Sequence, residues 1–550
     1  MSRVLSVVAK ANQKLTIQLA AILLASSSLL GMLFGFMRER TLNSLYMPNP
    51  QTGFPGYPVG LDAYTTAFTI PDFMFFVLVS GALSVTFIPV FNQRLAGGNK
   101  KSAWELSTSM INFMALMTLI ASILIIIFAE PLARLLAPGY SETGMALTVS
   151  MMRVIAINPF LFAIATVVSS MQQAVGRFTF YALAPTIYNL GIIIGAVFFT
   201  NGITIFGVKI FDGGIMGIAL GVVLGSIMQL LVSCIGLFGL GFDYRFKIYW
   251  KNKGFRQVLR LLPARSIDQG MDYAVGMVEN NLASHMATGT VRAFNQATIL
   301  HMAPINLIGV AISTAAFPKL TERLSEGRED LFKLELQKIL RVIIWLALPV
   351  SMITFFTRGY VVNFIKPGGN SLIAGLLGIL VIVILARSVY FIAARSFYAR
   401  QDTKTPMYIS IFSIGLNVVL AIWFTQSLGM GAYGLALAQS VMAIVEVIIL
   451  FYVMNRRLNG LLNASFWHAV GRMASATGIT SVASYMLVSF LPLQAGDRSS
   501  FYITFPKFAF IAGMSFMVYL AISRLFRLQE AVPVIAAMKK YGRKMIRVVH

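Results

Sequence analysis

Apolar runs of roughly 20 residues, the length at which a helix crosses the hydrocarbon layer of a bilayer, recur along this chain from end to end. In the first half they fall at 16–37, 66–91, 105–129, 146–174, 178–200, 213–240 and 258–286. The second half supplies 293–318, 340–357, 371–394, 406–427, 431–455, 466–492 and 503–526. The pattern predicts an all-α integral membrane protein with about 14 transmembrane helices. The seventh run, 258–286, is the least apolar. The first run is long, lacks a convincing small-residue cleavage site and is followed by many others, so it reads as a span and not as a signal peptide. The segment 46–60, YMPNPQTGFPGYPVG, is too rich in Pro, Gly and Asn to continue a helix.

Loop charge turns the count into an orientation. Of the 44 Lys and Arg residues, Arg38, Arg40, Arg134, Lys209, Arg292, Arg358, Lys366, Arg498 and Lys507 fall on one side of the predicted membrane, and Arg153, Arg265 and Arg387 fall within spans. The rest lie in or beside the loops of the other side. Cytoplasmic loops are the ones enriched in Lys and Arg, so both termini are expected in the cytoplasm. One miscounted span would invert everything after it and mix the two classes, yet the alternation persists to the end. The tail 528–550 alternates apolar residues with Lys539, Lys540, Arg543, Lys544 and Arg547. It reads either as a basic amphipathic helix on the anionic inner leaflet or as a solvated basic tail.

Composition agrees. Hydrophobic residues make up 57% of the 550 and charged residues 12%, with a mean hydropathy of +0.77. A soluble chain would carry about a quarter charged residues. The net charge of +24 is dispersed among loops and not gathered on one face, which argues against nucleic acid as a partner. The single cysteine, Cys234, can form no internal disulfide. No HExxH, GxSxG or paired CxxC is present, and GGNKKS at 97–102 lacks the spacing of a phosphate loop. A transporter without hydrolytic motifs or cofactor is expected, not an enzyme.

The chain also repeats itself. Residues 82–95, ALSVTFIPVFNQRL, align with 311–324, AISTAAFPKLTERL, and share Ala82/Ala311, Ser84/Ser313, Pro89/Pro318, Arg94/Arg323 and Leu95/Leu324. The stretch beginning at Gly176 matches that beginning at Ala399: in each, a short basic turn precedes a proline, Pro185 or Pro406, that opens the next span. Two matches in the same order at nearly the same offset set spans 2 and 5 opposite spans 8 and 11. The repeat unit is then six helices, and an even offset makes the repeat parallel, with a site expected where the halves meet and alternating access as the mode of action. The expected domains are an N-lobe at 1–240, a C-lobe at 241–460, a final helix pair at 461–527 and the tail at 528–550.

Charged residues inside spans are costly unless paired or hydrated, and each is a functional candidate. The seventh span holds Arg265, Asp268, Asp272, Glu279, Asn280, Asn281 and His285. Asp268, Asp272 and Glu279 share one helical face, and Arg265 can pair with Asp268. That face lines a water-filled cavity or forms a structural ion-pair ladder. In the eighth span Arg292, Asn295, Gln296 and His301 continue the theme, although Asn295 and Gln296 could cap the helix and a lone His301 is more often structural. Arg38, Glu39 and Asp62 form the polar cluster of the first half, with ordinary interfacial placement as the alternative. Asp72 follows Pro71, where a helix break could expose backbone groups. Snorkelling or a local pair accounts for Arg153, Arg387 and Glu446 as well as function does.

The stretches GFMRE (35–39), GLDAYTTAFTIPD (60–72), SGALSVTFIPVF (80–91), ALAPTIYN (182–189), IGVAISTAAFPKL (308–320) and FYARQDTKTP (397–406) resemble those of the MurJ/MviN lipid II flippases, in order and over nearly the whole chain. The resemblance implies two six-helix lobes with a final pair that forms a groove for a polyprenyl tail. It also implies that undecaprenyl-pyrophosphate-linked disaccharide-pentapeptide moves from the inner to the outer leaflet of the bacterial cytoplasmic membrane, for peptidoglycan synthesis. The superfamily includes multidrug and polysaccharide exporters.

By this resemblance Arg38 and Asp62 match family positions, and an arginine fork suits a pyrophosphate. Met32, Phe75, Phe76 and Ile299 stand where the family often places basic residues, and Ser80 where it places an acidic one. Arg38, Asp62, Arg265, Asp272, Glu279, Arg292 and Asn295 are therefore the expected substrate-binding residues, with Arg265 and Arg292 as replacement anchors or else a different substrate. Na+ or H+ coupling through Asp268 and Asn417 is a further expectation, along with sensitivity to membrane potential, although Ala421 stands where a carboxylate would be wanted. The expected partners are a lipid-linked anionic substrate, membrane lipids and cell-wall synthesis enzymes, with the chain a monomer. The alternatives are export of another polyprenyl-linked saccharide or amphipathic molecule, and a non-transporting scaffold.

Overall fold

The computed structural model describes residues 12, 17–46, 59–80, 87–205, 208–458, 460–494, 496–497, 500–532 and 534–536. Thirteen of the predicted spans coincide with one helix or a pair of helical segments and the second with several shorter ones, and among the described residues eleven helices are long and apolar enough to cross a membrane. The chain is a multi-pass membrane protein. Its helices group into two compact units, residues 1–292 and 293–550.

The first unit begins with α1 (Ile17–Leu45). The second span is broken: α2 (Val59–Ala67) ends at a turn at Phe68, α3 (Thr69–Phe75) restarts across Pro71, a π-helical turn follows at Phe76–Ser80, and α4 (Ile88–Ala96) completes it. Proline cannot donate the backbone bond that would reach back across the turn, so the break falls just ahead of it. Next come α5 (Lys100–Ile127), α6 (Ala129–Leu136), α7 (Glu142–Ile155) and α8 (Asn158–Ala174). The single run read at 146–174 is thus two helices, parted ahead of Pro159. After α9 (Thr179–Phe198), a short hairpin of β1 (Ile203–Ile205) and β2 (Val208–Phe211) pairs Ile205 with Val208 and Thr204 with Lys209. It is a small exception to the all-α reading. The unit ends with α10 (Met216–Ile235) and α11 (Lys253–Ser284).

α9 and α10 meet backbone to backbone. A Cβ on Gly195 would lie 2.1 Å from the Gly221 Cα, and one on Gly191 would lie 2.3 Å from the Gly225 Cα. In lipid, where apolar side chains gain little by leaving the solvent, such close approach through glycines spaced by four is a main source of helix–helix stability.

The second unit contains α12 (Thr290–Ile305), whose first turn belongs to the first unit, a π-helical turn at Asn306–Val310, and α13 (Ala311–Ser325). It continues with α14 (Glu329–Ile365), α15 (Ser371–Ala399), α16 (Lys404–Ile422), α17 (Ala432–Arg457), α18 (Ala464–Phe490) and α19 (Phe501–Leu525). The final pair packs on α14 through Trp345: its Nε1 donates to Ser523 Oγ at 3.2 Å, and Tyr519 Oη donates to the Trp345 carbonyl at 3.0 Å.

The internal repeat is visible in two devices. The π turns at Phe76–Ser80 and Asn306–Val310 immediately precede the aligned stretches. In each unit the basic turn ahead of helix five or eleven ties onto the end of the helix that follows it. Arg177 donates to the carbonyls of Gly236, Phe238 and Gly239 beyond α10, and Asp402 accepts from Arg457 at the end of α17.

The sequence-derived lobe boundary at 240/241 differs from the packing boundary at 292/293. α11 packs on α3, α4, α5, α6 and the π turn at Phe76–Ser80, all in the first unit. The tail from 537 onward lies outside the described residues, while Leu528 and Ala531 at its start are buried beside Trp345.

Candidate functional site

The densest polar cluster among the described residues lies in the first unit, at the end of its helices remote from the basic loops. Glu39 is its centre. One carboxylate oxygen accepts from Arg38 Nη2 at 2.9 Å and the other from Arg292 Nη2 at 2.6 Å. The Glu39 and Arg292 side chains are 2% and 3% exposed. Arg292 has Thr65 Oγ1 at 3.4 Å and the Tyr64 ring at 5.8 Å as its remaining neighbours. Arg38 also donates to Asn189 Oδ1 of α9 at 2.9 Å, and its Nε has no hydrogen-bond partner among the described residues.

Asp62 lies one turn into α2 and caps a different helix. Its two oxygens accept from the backbone N–H groups of Gly289 and Arg292, the latter at 2.8 Å. Gly289 lies just ahead of α12 and Arg292 in its first turn, where N–H groups lack partners within the helix, and a carboxylate there also meets the positive end of the helix dipole. Thr66, next along α2, meets Tyr140 Oη at 2.7 Å and donates to Asn280 Oδ1 at 3.2 Å. Asn280 and Asn281 donate to the carbonyls of Leu136 and Leu135 at 2.9 and 2.7 Å. Tyr140, Ser284, Val291 and Asp62 line a small pocket at this end.

This arrangement assigns the predicted residues unevenly. Arg38, Asp62 and Arg292 do come together, but Arg292 is committed to Glu39, so in this conformation it is a structural partner and not an open anion anchor. Glu279 is buried on α11. The side chains of Arg265, Asp268 and Asp272 lie outside the described residues. Asn295 is half-buried within α12, and Gln296 is buried; neither caps the helix, because Asp62 does so from α2. Buried His301 sets Nδ1 3.2 Å from the Ala297 carbonyl, a local structural contact.

Asn417 is buried on α16, and Ala421, one turn on, is buried with it. No group of three or more potential metal-ligating side chains occurs among the described residues. Arg387 and Glu446, unlinked by sequence, form a pair at 3.0 Å between α15 and α17. Ser410 donates to the same carboxylate at 3.0 Å, and the Tyr390 ring lies beneath the guanidinium.

At the positions where cationic anchors were sought, the chain places an aromatic cluster. Phe76 stacks on Tyr273 of α11 with centroids 4.4 Å apart, and Phe75 meets Phe162 edge-on at 5.5 Å. Phe162 in turn meets Tyr188, the neighbour of Asn189.

A repeated bundle of broken and continuous membrane helices, with charged residues buried at one end of one half and in mid-helix in the other, is the architecture of a multi-pass α-helical membrane protein. A family model described as lipid II flippase MurJ matches residues 56–505. The chain belongs to that family.

Among its curated relatives, a probable lipid II flippase MurJ of Borreliella burgdorferi is 21% identical over 503 residues, 90% of this chain and 91% of the relative. Another, from Thermotoga maritima, is 25% identical over 405 residues, 71% and 77% of the two chains. A solved lipid II flippase MurJ in an inward closed conformation superposes with a TM-score of 0.73 at 21% identity, over 92% of this chain and 98% of that one. An inward-facing multidrug resistance MATE family transporter superposes with a TM-score of 0.65 at 16% identity, over 81% and 99%. These two likenesses show the fold.

Proposed function

We propose that this chain is a lipid II flippase of the bacterial cytoplasmic membrane. It moves the undecaprenyl-pyrophosphate-linked disaccharide-pentapeptide from the inner to the outer leaflet by alternating access, with both termini in the cytoplasm. The observation that carries the reading is the family match over most of the chain. The buried cluster of Arg38, Glu39, Asp62 and Arg292 supports it, because it is a set of ties that alternating access can break and remake at the outer end. Arg38 is the residue assigned to the pyrophosphate: its side chain is partly exposed, whereas that of Arg292 is buried. Asp268 and Asn417 are where Na+ or H+ coupling is to be sought, and α18 and α19 are the groove for the polyprenyl tail.

The test is complementation of a strain depleted of its own lipid II flippase. Survival on this chain is expected, with loss on Arg38→Ala despite normal membrane insertion. Failure of the wild-type chain with normal insertion refutes the proposal. One observation favours a second reading, export of another polyprenyl-linked saccharide: the aromatic cluster of Phe75, Phe76 and Tyr273 stands where basic anchors were sought. Rescue of a strain that lacks a different lipid-linked saccharide exporter, without rescue of the first, would select it.

A further inference from the structure

The segment 241–252 that joins α10 to α11 has no regular secondary structure, yet its backbone is held along the first half of α5. Asn112 Nδ2 donates to the carbonyls of Arg245 and Lys247 at 2.9 and 3.0 Å. Ser109 Oγ accepts from the Tyr249 N–H at 2.8 Å, and Asn252 Nδ2 donates to the Ser102 carbonyl at 3.0 Å while its Oδ1 caps α11. The segment therefore runs antiparallel to α5, from Asn112 back to Ser102.

Its depth follows from α5 itself. Up to Met114 that helix is largely buried in protein, whereas Leu116, Ile120, Ile123 and Ile127 are exposed on a face suited only to lipid. Leu116 lies about 6 Å along the helix axis from Asn112, at 1.5 Å per residue. The exposed aliphatic face thus begins one turn from the point where Arg245 and Lys247 are tied down, and the segment sits where hydrocarbon gives way to headgroups.

The side chains fit that level. Phe246, between the two tethered carbonyls, is 93% exposed, and Trp250 and Tyr244 are exposed as well. Aromatic rings gather at this boundary in membrane proteins. On the polar side, Lys101, Lys247, Lys251 and Lys253 line a groove of about 760 Å³ together with Asn99, Ser102 and one carboxylate, Glu105, which Asn252 Nδ2 meets at 3.4 Å. None of the four lysines is ion-paired with a carboxylate among the described residues, and Lys247 rests against the Tyr249 ring. A groove whose four lysines outnumber its one carboxylate, beside an exposed phenyl ring near the lipid-facing surface, matches an amphiphile with an anionic head.

We propose that the segment 241–252, with Lys101, is a docking surface for the phosphate headgroups of anionic phospholipids. Phe246 sits among the acyl chains, and the lysines hold the phosphodiester. Basic pockets at helix ends on the cytoplasmic side take anionic lipid in this way. Assignment to the inner leaflet rests on the orientation proposed above; the preference for anionic lipid does not, and it can fail or hold independently of the transported substrate.

The test is native mass spectrometry of the full chain with phosphatidylglycerol and phosphatidylcholine of identical acyl chains. The wild type is expected to bind its first phosphatidylglycerol at least tenfold more tightly than phosphatidylcholine. The triple variant Lys247→Gln/Lys251→Gln/Lys253→Gln brings the two within about twofold, and its melting temperature in phosphatidylcholine is unchanged, as for surface substitutions. Phe246→Ser weakens both lipids together. A parallel variant, Lys539→Gln/Lys540→Gln/Lys544→Gln, separates this surface from the basic tail and keeps the preference. The proposal is overturned if the wild type shows no preference, if the linker variant retains it, or if the tail variant and not the linker variant abolishes it.

Discussion

Glu39→Gln isolates the central charge of the buried cluster. In the wild type that carboxylate neutralises two guanidinium groups, Arg38 at 2.9 Å and Arg292 at 2.6 Å. Glutamine keeps the shape and removes the charge. Arg292 would then be a cation 3% exposed, with Thr65 at 3.4 Å and the Tyr64 face at 5.8 Å as its neighbours. Removal of one partner of a buried pair costs roughly 3–5 kcal/mol, chiefly because the other charge stays buried, and solvent screening offers no discount at this exposure.

Arg292→Gln should cost less, since Glu39 keeps Arg38. The double variant leaves only Arg38, itself partly exposed, without its carboxylate and should cost well under the sum of the two, with a coupling of about 2 kcal/mol or more. At roughly 2 °C per kcal/mol, Glu39→Gln lowers the melting temperature in detergent by about 6–10 °C, and the second substitution recovers part of that loss. Melting of the four proteins by intrinsic fluorescence, backed by flippase complementation, reads the cycle. Additive losses within experimental error would show that Glu39 and Arg292 do not depend on one another, and would remove the cluster from any account of the site.

Asp62→Ala strips two N–H groups at the start of α12, those of Gly289 and Arg292, of their acceptor and should cost about 2 kcal/mol or more, whereas Asp62→Asn keeps one oxygen and should cost about half as much; equal melting temperatures for the two would refute the cap. Gly195→Leu drives a side chain into the Gly221 backbone and should lower the yield of folded protein sharply, by well over the roughly 1–3 kcal/mol of ordinary overpacking, while Gly415→Ala, with open space around it, should be neutral or slightly stabilising on size-exclusion and melting measurements. In the loop between α15 and α16, burial raises the Asp402 carboxyl, but hydrogen bonds from Thr405 and Arg457 outweigh it and hold the carboxyl at about 2. A depressed carboxyl adds stability above its unfolded value of about 4 and loses it as the pH falls towards 2. Arg457→Gln should therefore lower the melting temperature at pH 6, with the gap to wild type closing between about pH 4 and 2; a gap independent of pH would refute the ion pair's role.

Much of the scaffold is legible because its cause is local. Runs long enough to span set the helices, and the loop charges keep them in phase. The 9-residue α2 and its break at Phe68 follow from Pro71, and the start of α8 from Pro159. The extension of α14 back to Glu329, beyond the apolar run read at 340–357, was also within reach: Phe332, Leu336 and Leu340 recur every four residues and are all buried. What spacing along one helix could not supply is partnership between helices. Arg387 and Glu446 looked isolated because each is alone on its own span, and the pair exists only once α15 packs on α17. Glu39 was grouped with Arg38 and Asp62 by proximity, yet its central place depends on Arg292, from the far end of the first unit.

The two repeats share a scaffold and have diverged in chemistry. Each has a π turn ahead of its aligned stretch and a basic turn tied to the end of its sixth helix. π turns are uncommon and collect at functional positions, so the pair at matching places in the two halves points to a mechanical requirement at that level of the bundle, whereas the further one at Trp423–Ser427 has no described counterpart in the first half. Charge has no such symmetry. The first unit gathers Arg38, Glu39, Asp62 and Arg292 at one end, whereas the second sets Arg387 against Glu446 in the middle of its helices. Packing constrains every position that touches a neighbour, and so preserves a repeat. A buried ion pair constrains only its two members and can arise or vanish together with its partner. The repeat is therefore a guide to how this protein moves, and the unshared charges are the guide to what it moves.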